Sequence, residues 1–452
     1  MLIRPTLFFL LLAGLGALSV SGCREQPAGP VSAGSTSPAS ADADELGKLP
    51  GLSQTGDRRL LAERARIIEE AGTPEQLLRP GIPEAENAAA VLAGLFPPGR
   101  ARALLEQSDD LLPDGRFRLN PIELERAIRF RTRLAREHEL VRQALGRPQC
   151  RFELRYDRGL QADLGFIDVV RLGARLEGFS VVESLSGGDV DAAIESLGRI
   201  LRLAAWLAEE KHPTPRLQAA AVRREGLALL GRIVEHRKLG LEHLKRLEPM
   251  MREHLAAWAP DAHAWIGDRA LGMYAYELVR AGRCRELLTD EEIDRFRQEG
   301  ILDELPAAAA RAANEDELFY LQAMRSIVDA CRRPYFQRIA VLEAIDRDGK
   351  QKEREPDYPL VAVRLLLPDV PQGHLLQARD RAACEVWALA LGLGVGRDAP
   401  GETISPVSGQ AYRVVRQEGR VEVRDPADQG EPPLAAVVPD LAPSGPTGTR
   451  TP

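Results

Sequence analysis

The side chains best suited to metal binding or acid–base catalysis are seven histidines, and their spacing forms no familiar motif. The sequence has no His-Glu-x-x-His, the pattern that places two zinc ligands on one helical face. His236, His243 and His254 would share a face of a continuous helix, because they are offset by 7 and 18 residues. However, Gly240 and Pro249 interrupt that run, and an interior proline kinks or breaks a helix. We therefore predict no metal site there.

Two further patterns have simple structural interpretations. His138 falls on the apolar face of a helix predicted over 120–146, where we expect a hydrogen-bonded core histidine rather than a ligand. The segment Asp346–Lys350 begins like a calcium loop, which needs an oxygen ligand at its fifth position and glycine at its sixth. Here Gly349 comes two positions early and Lys350 occupies the fifth position, so we predict a turn that ends a helix.

Paired carboxylates and clustered aromatic residues are the remaining candidates for catalytic or ligand-binding side chains. Asp109-Asp110 and Glu291-Glu292 are predicted to be helix-surface or capping residues. Six aromatic residues favour core packing over a ligand groove: Tyr274, Tyr276, Phe319, Tyr320, Tyr335 and Phe336. Gly-x-Ser-x-Gly, phosphate-binding glycine loops and dinucleotide fingerprints are absent from the sequence. We therefore predict no catalytic residue, no cofactor-binding residue and no metal ligand.

The N-terminal sequence predicts where in the cell the protein is located. Arg4 precedes an apolar run from Leu7 to Leu18, and small residues then lead to Cys23. A charged start, an apolar core of this length and small residues before a cleavage site are typical of a secretory signal peptide, here residues 1–22. The ending Val-Ser-Gly-Cys resembles the lipobox of bacterial lipoproteins, in which the cysteine is diacylated and becomes the new N-terminus. An uncleaved anchor or a plain secretory signal is the alternative.

This resemblance implies a membrane anchor. Palmitate or a similar acyl chain on Cys23 would hold the protein to a membrane of the cell envelope, facing the periplasm or the exterior. In bacteria with two membranes, Asp after the lipidated cysteine favours retention in the inner membrane. Arg24 occupies that position here, so the outer membrane is favoured over the inner one.

The other cysteines are predicted to be structural. If Cys23 is acylated, Cys150, Cys284, Cys331 and Cys384 remain in a compartment that permits disulfides. Four cysteines allow three full pairings, and the sequence does not select one. No Cys-x-x-Cys motif is present, so structural or buried free cysteines are favoured over reactive thiols.

Composition narrows the class of protein. The 452 residues are 44% hydrophobic and 28% charged, which is ordinary for a globular chain. A net charge of −7 gives no basic footprint, so we predict no nucleic-acid partner. The apolar stretch 386–395 is about half the ~20 residues that a membrane-spanning helix needs, and it predicts a buried helix.

Composition also divides the chain. Residues 23–56 are small and polar and predict a flexible tether after the signal peptide. Residues 57–372 predict a helical body, and 373–425 predict a helix followed by a β-hairpin. Residues 426–452, rich in proline, glycine and alanine, predict a disordered tail.

The dominant period between these tails is helical. Asn120-Pro121 predicts a helix start, and Gly188-Asp189 precedes another helix that ends before His212. Further helices are predicted over 58–71, 84–107, 160–185, 213–236, 241–256, 262–281, 315–332, 335–347 and 374–394. Two alternating segments, 411–416 and 420–424, flank Gly419 and predict a hairpin. The predicted fold is mainly α, with antiparallel helical hairpins and a small C-terminal β-hairpin.

Two resemblances add to this interpretation. The segment from Gly188 to Leu201 resembles the second half of a tetratricopeptide unit, in which small residues, here Ala192 and Ala193, permit close helix packing. With the preceding helix, predicted from Val170 to Leu185, the resemblance covers about 34 residues, and no second copy is found at that period. A true repeat domain and an independently acquired helical hairpin both fit this pattern.

The second resemblance is carried by Glu86–Ala89, the run from Arg379 through Pro400, Ser405–Gly409, Tyr412 and Arg413. Together these resemble a family of uncharacterised, exported, largely helical bacterial proteins. The tail of this chain is also similar to the C-terminal part of pseudopilin-like domains, in which a Pro-x-Ser/Thr-Gly turn feeds a hairpin that packs on a helix. Ser405 stands where Asp is commoner, and a prepilin cleavage site is missing, so pilus assembly is not implied. The family brings no established activity, so no residue inherits a role.

These observations favour a lipid-anchored envelope protein that holds or recognises another envelope component without catalysis. The protein partner is unspecified. One alternative is an enzyme acting on envelope polymers, which would need convergent carboxylates or a histidine pair in a cleft. A second alternative is an accessory component of a secretion or pilus-like apparatus, for which a hairpin packed on the 374–394 helix would be expected.

Overall fold

The computed structural model describes most of the chain after the predicted tether. Cys23, Arg24, the signal peptide and nearly all of the tether lie outside the described residues. The described ranges are 55–73, 76–77, 81–112, 117–154, 162–355, 361–368, 370–397, 403–427 and 433–441.

The structure is mainly helical, as the sequence predicts. The first eight helices are α1 (Arg58–Ala71), α2 (Ala89–Leu92), α3 (Arg100–Asp109), α4 (Pro121–Arg133), α5 (Ala135–Leu145), α6 (Phe166–Gly187), α7 (Val190–Glu209) and α8 (Pro213–Val234). The others are α9 (Leu241–Ala256), α10 (Ala262–Arg280), α11 (Asp290–Gln298), α12 (Leu305–Arg311), α13 (Ala313–Ala330), α14 (Tyr335–Lys352) and α15 (Val370–Gly394). A 3₁₀ turn (Cys284–Leu287) and a π-helical turn (Ala362–Leu366) connect some of them.

Local sequence explains several helix ends. Asn120 accepts hydrogen bonds from the amides of Ile122 and Glu123, and Glu123 bonds back to the Asn120 amide, which forms a capping box at the start of α4. Between α6 and α7, Gly188 adopts a left-handed conformation with φ +77°, and the Asp189 side chain caps α7. The predicted hairpin at Gly188-Asp189 is thus confirmed.

Three helix predictions need correction. The helix expected over 120–146 is divided at Leu134, whose φ and ψ of −108° and 23° interrupt the helical ladder. The helix expected over 84–107 is instead the short α2 and α3. The calcium-like segment 346–350 does not end a helix but lies inside α14. In addition, α9 continues through Pro249.

Two apolar cores lie side by side in the fold. The first gathers buried residues of α2–α9, α15 and the sheet, with α6, α7 and α8 at its centre. The second is built around α1, α10 and α13 and includes Tyr276 and Tyr320. Contacts of α8 with α10 and of α14 with α15 bring the two cores together. No helix in the described ranges has both the length and the apolar character that crossing a membrane requires.

The C-terminal hairpin is confirmed and gains a strand. Strands β1 (Arg413–Gln417), β2 (Arg420–Arg424) and β3 (Ala435–Pro439) form an antiparallel sheet in the order β1-β2-β3. Val421, Val423 and Val438 are buried against α15, which supplies the cover that an isolated hairpin lacks.

The third strand corrects the prediction of disorder over 426–452. Residues 435–439 alternate between buried and exposed positions and hydrogen-bond along β2, so their short apolar side chains gain a ladder and a buried face. The low-complexity composition hid this pattern. Residues 442–452 lie outside the described part of the chain.

Candidate functional site

The main candidate site is a groove between α8, α15 and the residues that lead into β3. It has a volume of about 330 Å³, at the small end of the range for small-molecule pockets. Alanines and larger apolar side chains form most of the lining; the larger ones are Leu217, Leu227, Leu376, Val386, Trp387 and Leu434.

Four polar side chains interrupt the apolar lining: Gln218, Arg224, Arg379 and Asp380. Gln218 is only 4% exposed, and its amide has no hydrogen-bond partner among the described residues. Arg224 is exposed and forms no ion pair with any described residue. The groove therefore offers a hydrogen-bonding group and a cation beside a largely apolar surface.

Asp380 connects the groove to a buried ionic network. Its carboxylate accepts a hydrogen bond from Arg223 of α8, and both side chains are almost completely buried. Burial raises the pKa of Asp380, even with Arg223 beside it. Arg223 also donates from Nε to Nε2 of His254 at 3.0 Å and stacks over the Trp258 ring at 4.3 Å.

The network continues through Asp261 at the start of α10. Arg216 donates to Oδ1 of Asp261 at 2.9 Å, and Arg338 donates to Oδ2 at 2.8 Å. Burial alone would favour the neutral acid, but the two arginines lower the pKa of Asp261 below its ordinary value. Arg216 also donates to the backbone carbonyl of Ala259 at 2.9 Å, which fixes the loop before α10.

His374 of α15 closes the network on the side of the second core. Its ring stacks on Trp265 with centroids 4.5 Å apart, and its Nδ1 lies 3.2 Å from Nη1 of Arg338. Gly373 makes this packing possible, because a Cβ there would lie 2.6 Å from the Trp265 ring. Burial, with the nearby Arg338 charge, lowers the pKa of His374 to about 3, so its ring is neutral at pH 7.

This network is suited to holding helices together rather than to proton transfer. Each of its carboxylates is paired with arginine. Burial, reinforced by the Arg223 charge, lowers the pKa of His254 to about 3, and so that ring is also neutral at pH 7. The network joins α8, α9, α10, α14 and α15, whereas the groove beside it remains open to a ligand.

The structure places His138 where the sequence predicts it. The ring is 2% exposed, and its Nε2 lies 2.8 Å from Oε1 of Glu177 on α6. Arg142 and Arg199 also bond or pair with Glu177. Although burial opposes ionisation, these partners lower the pKa of Glu177 to about 2. His138 is therefore a hydrogen-bonded core residue, as expected.

The other three candidate histidines have separate structural partners. His243 accepts a hydrogen bond from the Gly240 amide, and His236 accepts one from the Lys238 amide, whereas His254 bonds to Arg223. Across the described ranges, no cluster of three or more His, Cys, Asp or Glu residues has a geometry that could hold a metal.

The carboxylate and aromatic candidates also take structural roles. Asp109 is exposed and pairs with Arg175, and Glu292 caps α11 through Thr289; the Glu291 side chain is outside the described part. The aromatic set lies mainly in or against the second core, where the Tyr276 hydroxyl donates to Asp316 at 2.7 Å. This agrees with core packing rather than a ligand groove.

The four described cysteines are free. Cys150, Cys284 and Cys384 are buried, and Cys331 is partly buried. Burial raises the pKa of Cys331 to about 12 and also raises the pKa of the other three thiols. They are therefore thiols rather than thiolates at pH 7, as expected for structural cysteines.

Sequence reasoning did not find the groove. Leu376 and Trp387 fall on a predicted helix, but nothing local shows that this helix lies beside α8. In the sequence, Arg379 and Asp380 stand out only as part of a family resemblance. Their spacing with Leu376, Ala383 and Val386 forms one stripe along α15, and that stripe was the available signal.

No protein-family model matches the chain, and comparisons with curated proteins and with solved structures also found no match. Function is therefore inferred from the groove, the buried network and the N-terminal sequence.

Proposed function

We propose that this is a lipid-anchored cell-envelope protein that holds another envelope component in the groove between α8 and α15. The observation that carries the proposal is the groove itself, with apolar walls and a few polar side chains. Sites for small ligands have this composition, in which apolar surface supplies affinity and a few polar groups fix orientation.

A non-catalytic role is supported by the state of the polar groups. Asp380 is the one carboxylate among the described lining residues, and it is paired with Arg223. General acid–base chemistry on a polymer would draw on two carboxylates or on a histidine with a suitable pKa. His254, the histidine behind the groove, has its pKa lowered to about 3 by burial and by Arg223. This geometry weighs against the alternative of an enzyme acting on envelope polymers.

The proposed location depends on the N-terminal sequence. The lipobox-like ending at Cys23 would place a diacyl anchor at the start of the mature chain, with the outer membrane favoured because Arg24 follows. The segment 23–56 would then separate the helical body from the membrane surface.

Site-specific photo-crosslinking in cells tests the proposal. Benzoylphenylalanine in place of Leu376 lies in the groove, whereas the same residue in place of exposed Arg381 lies on α15 outside it. We expect an ultraviolet-dependent adduct with an envelope lipid or protein from position 376 and little from position 381. Equal yields at both positions, or no adduct at either, would contradict the proposal.

One observation favours a second candidate, an accessory component of a secretion or pilus-like apparatus. The sheet packs on α15, and the Tyr412 hydroxyl donates to Glu385 at 2.9 Å, an arrangement similar to that expected for the pseudopilin-like tail. Val414 on the edge strand β1 is 42% exposed and is the matching crosslinking position. Capture of an apparatus protein from position 414 but not from 376 would favour this candidate.

A further inference from the structure

We propose that the groove binds a single-chain fatty acid, with its carboxylate at the end near Gln218 and Arg224 and its acyl chain towards Trp387. This inference rests on the proposed binding function of the groove, although not on the lipid anchor. It follows from the length of the groove, its division into two ends and its charge.

The groove is elongated. Its lining residues span 217–228 on α8 and 376–387 on α15, and each stretch covers about 16 Å at 1.5 Å per residue. The two helices run in the same direction, because Arg223 contacts Asp380 and, about two turns later on both helices, Gly231 lies against Trp387. Such a channel suits an extended chain better than a compact ring system.

The two ends of the groove differ in polarity. Gln218, Arg379 and Asp380 come from the first parts of the lining stretches, and Arg224 lies just past the middle of the α8 stretch. The later parts supply Leu227, Ala228, Ala383, Val386 and Trp387. Because the helices are parallel, one end of the groove is lined by apolar residues alone, whereas the other end combines polar side chains with Leu217 and Leu376. A molecule with a polar head and an apolar tail matches this division.

Gln218 offers the groove an unused hydrogen-bonding group. The residue is 4% exposed, and none of the described residues bonds to its amide. The amide atoms retain contact with solvent, so they are accessible to a ligand that enters the groove. A ligand carboxylate would accept from the Gln218 amide group.

The charge around the polar end selects an anion. The carboxylate of Asp380 is already offset by Arg223, and Arg224 adds positive charge to the lining. Arg224 is exposed at the rim without an ion pair among the described residues. A carboxylate head would pair with it, whereas a cationic amphiphile would be repelled.

Trp387 provides a direct test, because it lies at the proposed tail end. The experiment uses the chain from Cys23 to Pro452 made without lipid, which contains every described residue. The probes are undecanoate brominated at its terminal carbon, undecanoate brominated at carbon 2, and terminally brominated undecanol. Bromine quenches tryptophan fluorescence only at close range. We expect saturable quenching by the terminally brominated acid and much less by the carbon-2 isomer.

Two variants test separately the contact of the acyl chain with Trp387 and the recognition of the carboxylate by Arg224. Trp387→Phe should abolish the quenching while unlabelled undecanoate still binds by calorimetry. Arg224→Gln should weaken binding by about tenfold or more, as loss of a charged hydrogen bond predicts, whereas Arg381→Gln on the same helix as Trp387 should not change it. The brominated alcohol should bind more weakly by a similar factor.

Several outcomes would overturn the inference. These are quenching that does not saturate, quenching that persists in Trp387→Phe, or equal affinity for the acid and the alcohol. Unchanged affinity in a folded Arg224→Gln variant would also reject the proposed head site. If undecanoate fails to bind while position 376 crosslinks to a protein in cells, fatty-acid binding is rejected, whereas the proposed function of holding an envelope component is supported. If undecanoate binds but position 376 gives no adduct in cells, the proposed function in the envelope is rejected, whereas the fatty-acid site is supported.

Discussion

Arg223 and Asp380 form a buried ion pair between α8 and α15, with their side chains 1% and 4% exposed. The pair lies at the boundary between the groove and the ionic network, so one side chain, Asp380, belongs to both. The same contact holds together the two helices that form the groove walls.

Removing one partner of this pair should destabilise the fold strongly. Asp380→Asn leaves the Arg223 charge buried without its counter-charge, and we expect a loss of about 3–5 kcal/mol in the free energy of unfolding. Urea unfolding measures it. Asp346→Asn is the matched control, because its ion pair with Lys350 is exposed and should contribute at most about 1 kcal/mol. Equal effects of the two substitutions would contradict the structural role of Arg223–Asp380.

His254 and His374 should each lower the stability of the fold as pH drops below neutrality. His254 and His374 have pKa values lowered to about 3 by burial, below the ordinary value of 6.5. Between these values the unfolded chain binds more protons than the folded chain, so each histidine reduces stability as pH falls from about 6.5 towards 3. Near pH 5 the loss should be on the order of 1–2 kcal/mol for each histidine.

Chemical denaturation at pH 7.5 and pH 5.0 measures this loss. Glutamine does not titrate in this range. His374→Gln should therefore reduce the change in the free energy of unfolding between the two pH values, whatever it does to stability at pH 7.5. His236→Gln is the control on a partly exposed histidine. An unchanged pH dependence in His374→Gln would show that the ring is not held neutral in the fold.

The hairpin of α6 and α7 should tolerate no large residue at its contact. Ala193 is completely buried, so Ala193→Trp would overpack the interface and cost roughly 1–3 kcal/mol or more. Glu195→Trp, at an exposed position of α7, is the control and should melt close to the parent protein. Identical melting of the Ala193→Trp variant and the parent would be inconsistent with close packing.

Acylation at Cys23 is the prediction that tests location. Metabolic labelling with palmitate should mark the protein, and Cys23→Ser should remove the label. Cys331→Ser should keep it, because Cys331 is a partly buried structural thiol. Labelling that survives in Cys23→Ser would reject the lipobox interpretation.

The third strand should be required for stability. A chain ending at Ala427 lacks β3, so Val421 and Val423 lose the neighbouring strand that shares their buried face. We expect its melting temperature to drop by several degrees. A chain that ends at Leu441 retains β3 and should match the full protein. Equal melting of both truncations would mean that β3 adds nothing to the fold.

The sequence predicts those features whose signals are local. The capping box at Asn120 and Glu123 and the hairpin turn at Gly419 depend on residues a few positions apart, and both occur in the structure. The apolar stripe predicts that His138 is a core residue. It does not predict the partner Glu177, because the two residues lie on different helices and 39 positions apart.

The groove has no local sequence signal either, because the residues that form its walls lie even farther apart in the sequence. The Arg223–Asp380 pair spans 157 positions, and single sequences carry no signal for such a contact. β3 was missed because a short strand of alanine, valine and proline has the composition of a flexible tail. Its alternation of buried and exposed positions becomes informative only beside β2.

The wall supplied by Pro433–Ala435 also sets the order in which the binding site can be assembled. These residues lead into β3 and come about 200 positions after the wall formed by α8. During synthesis from the N-terminus, the α8 wall is therefore made long before the segment that completes the groove. A chain can retain a ligand in this site only after that distant segment has been made and β3 has paired with β2.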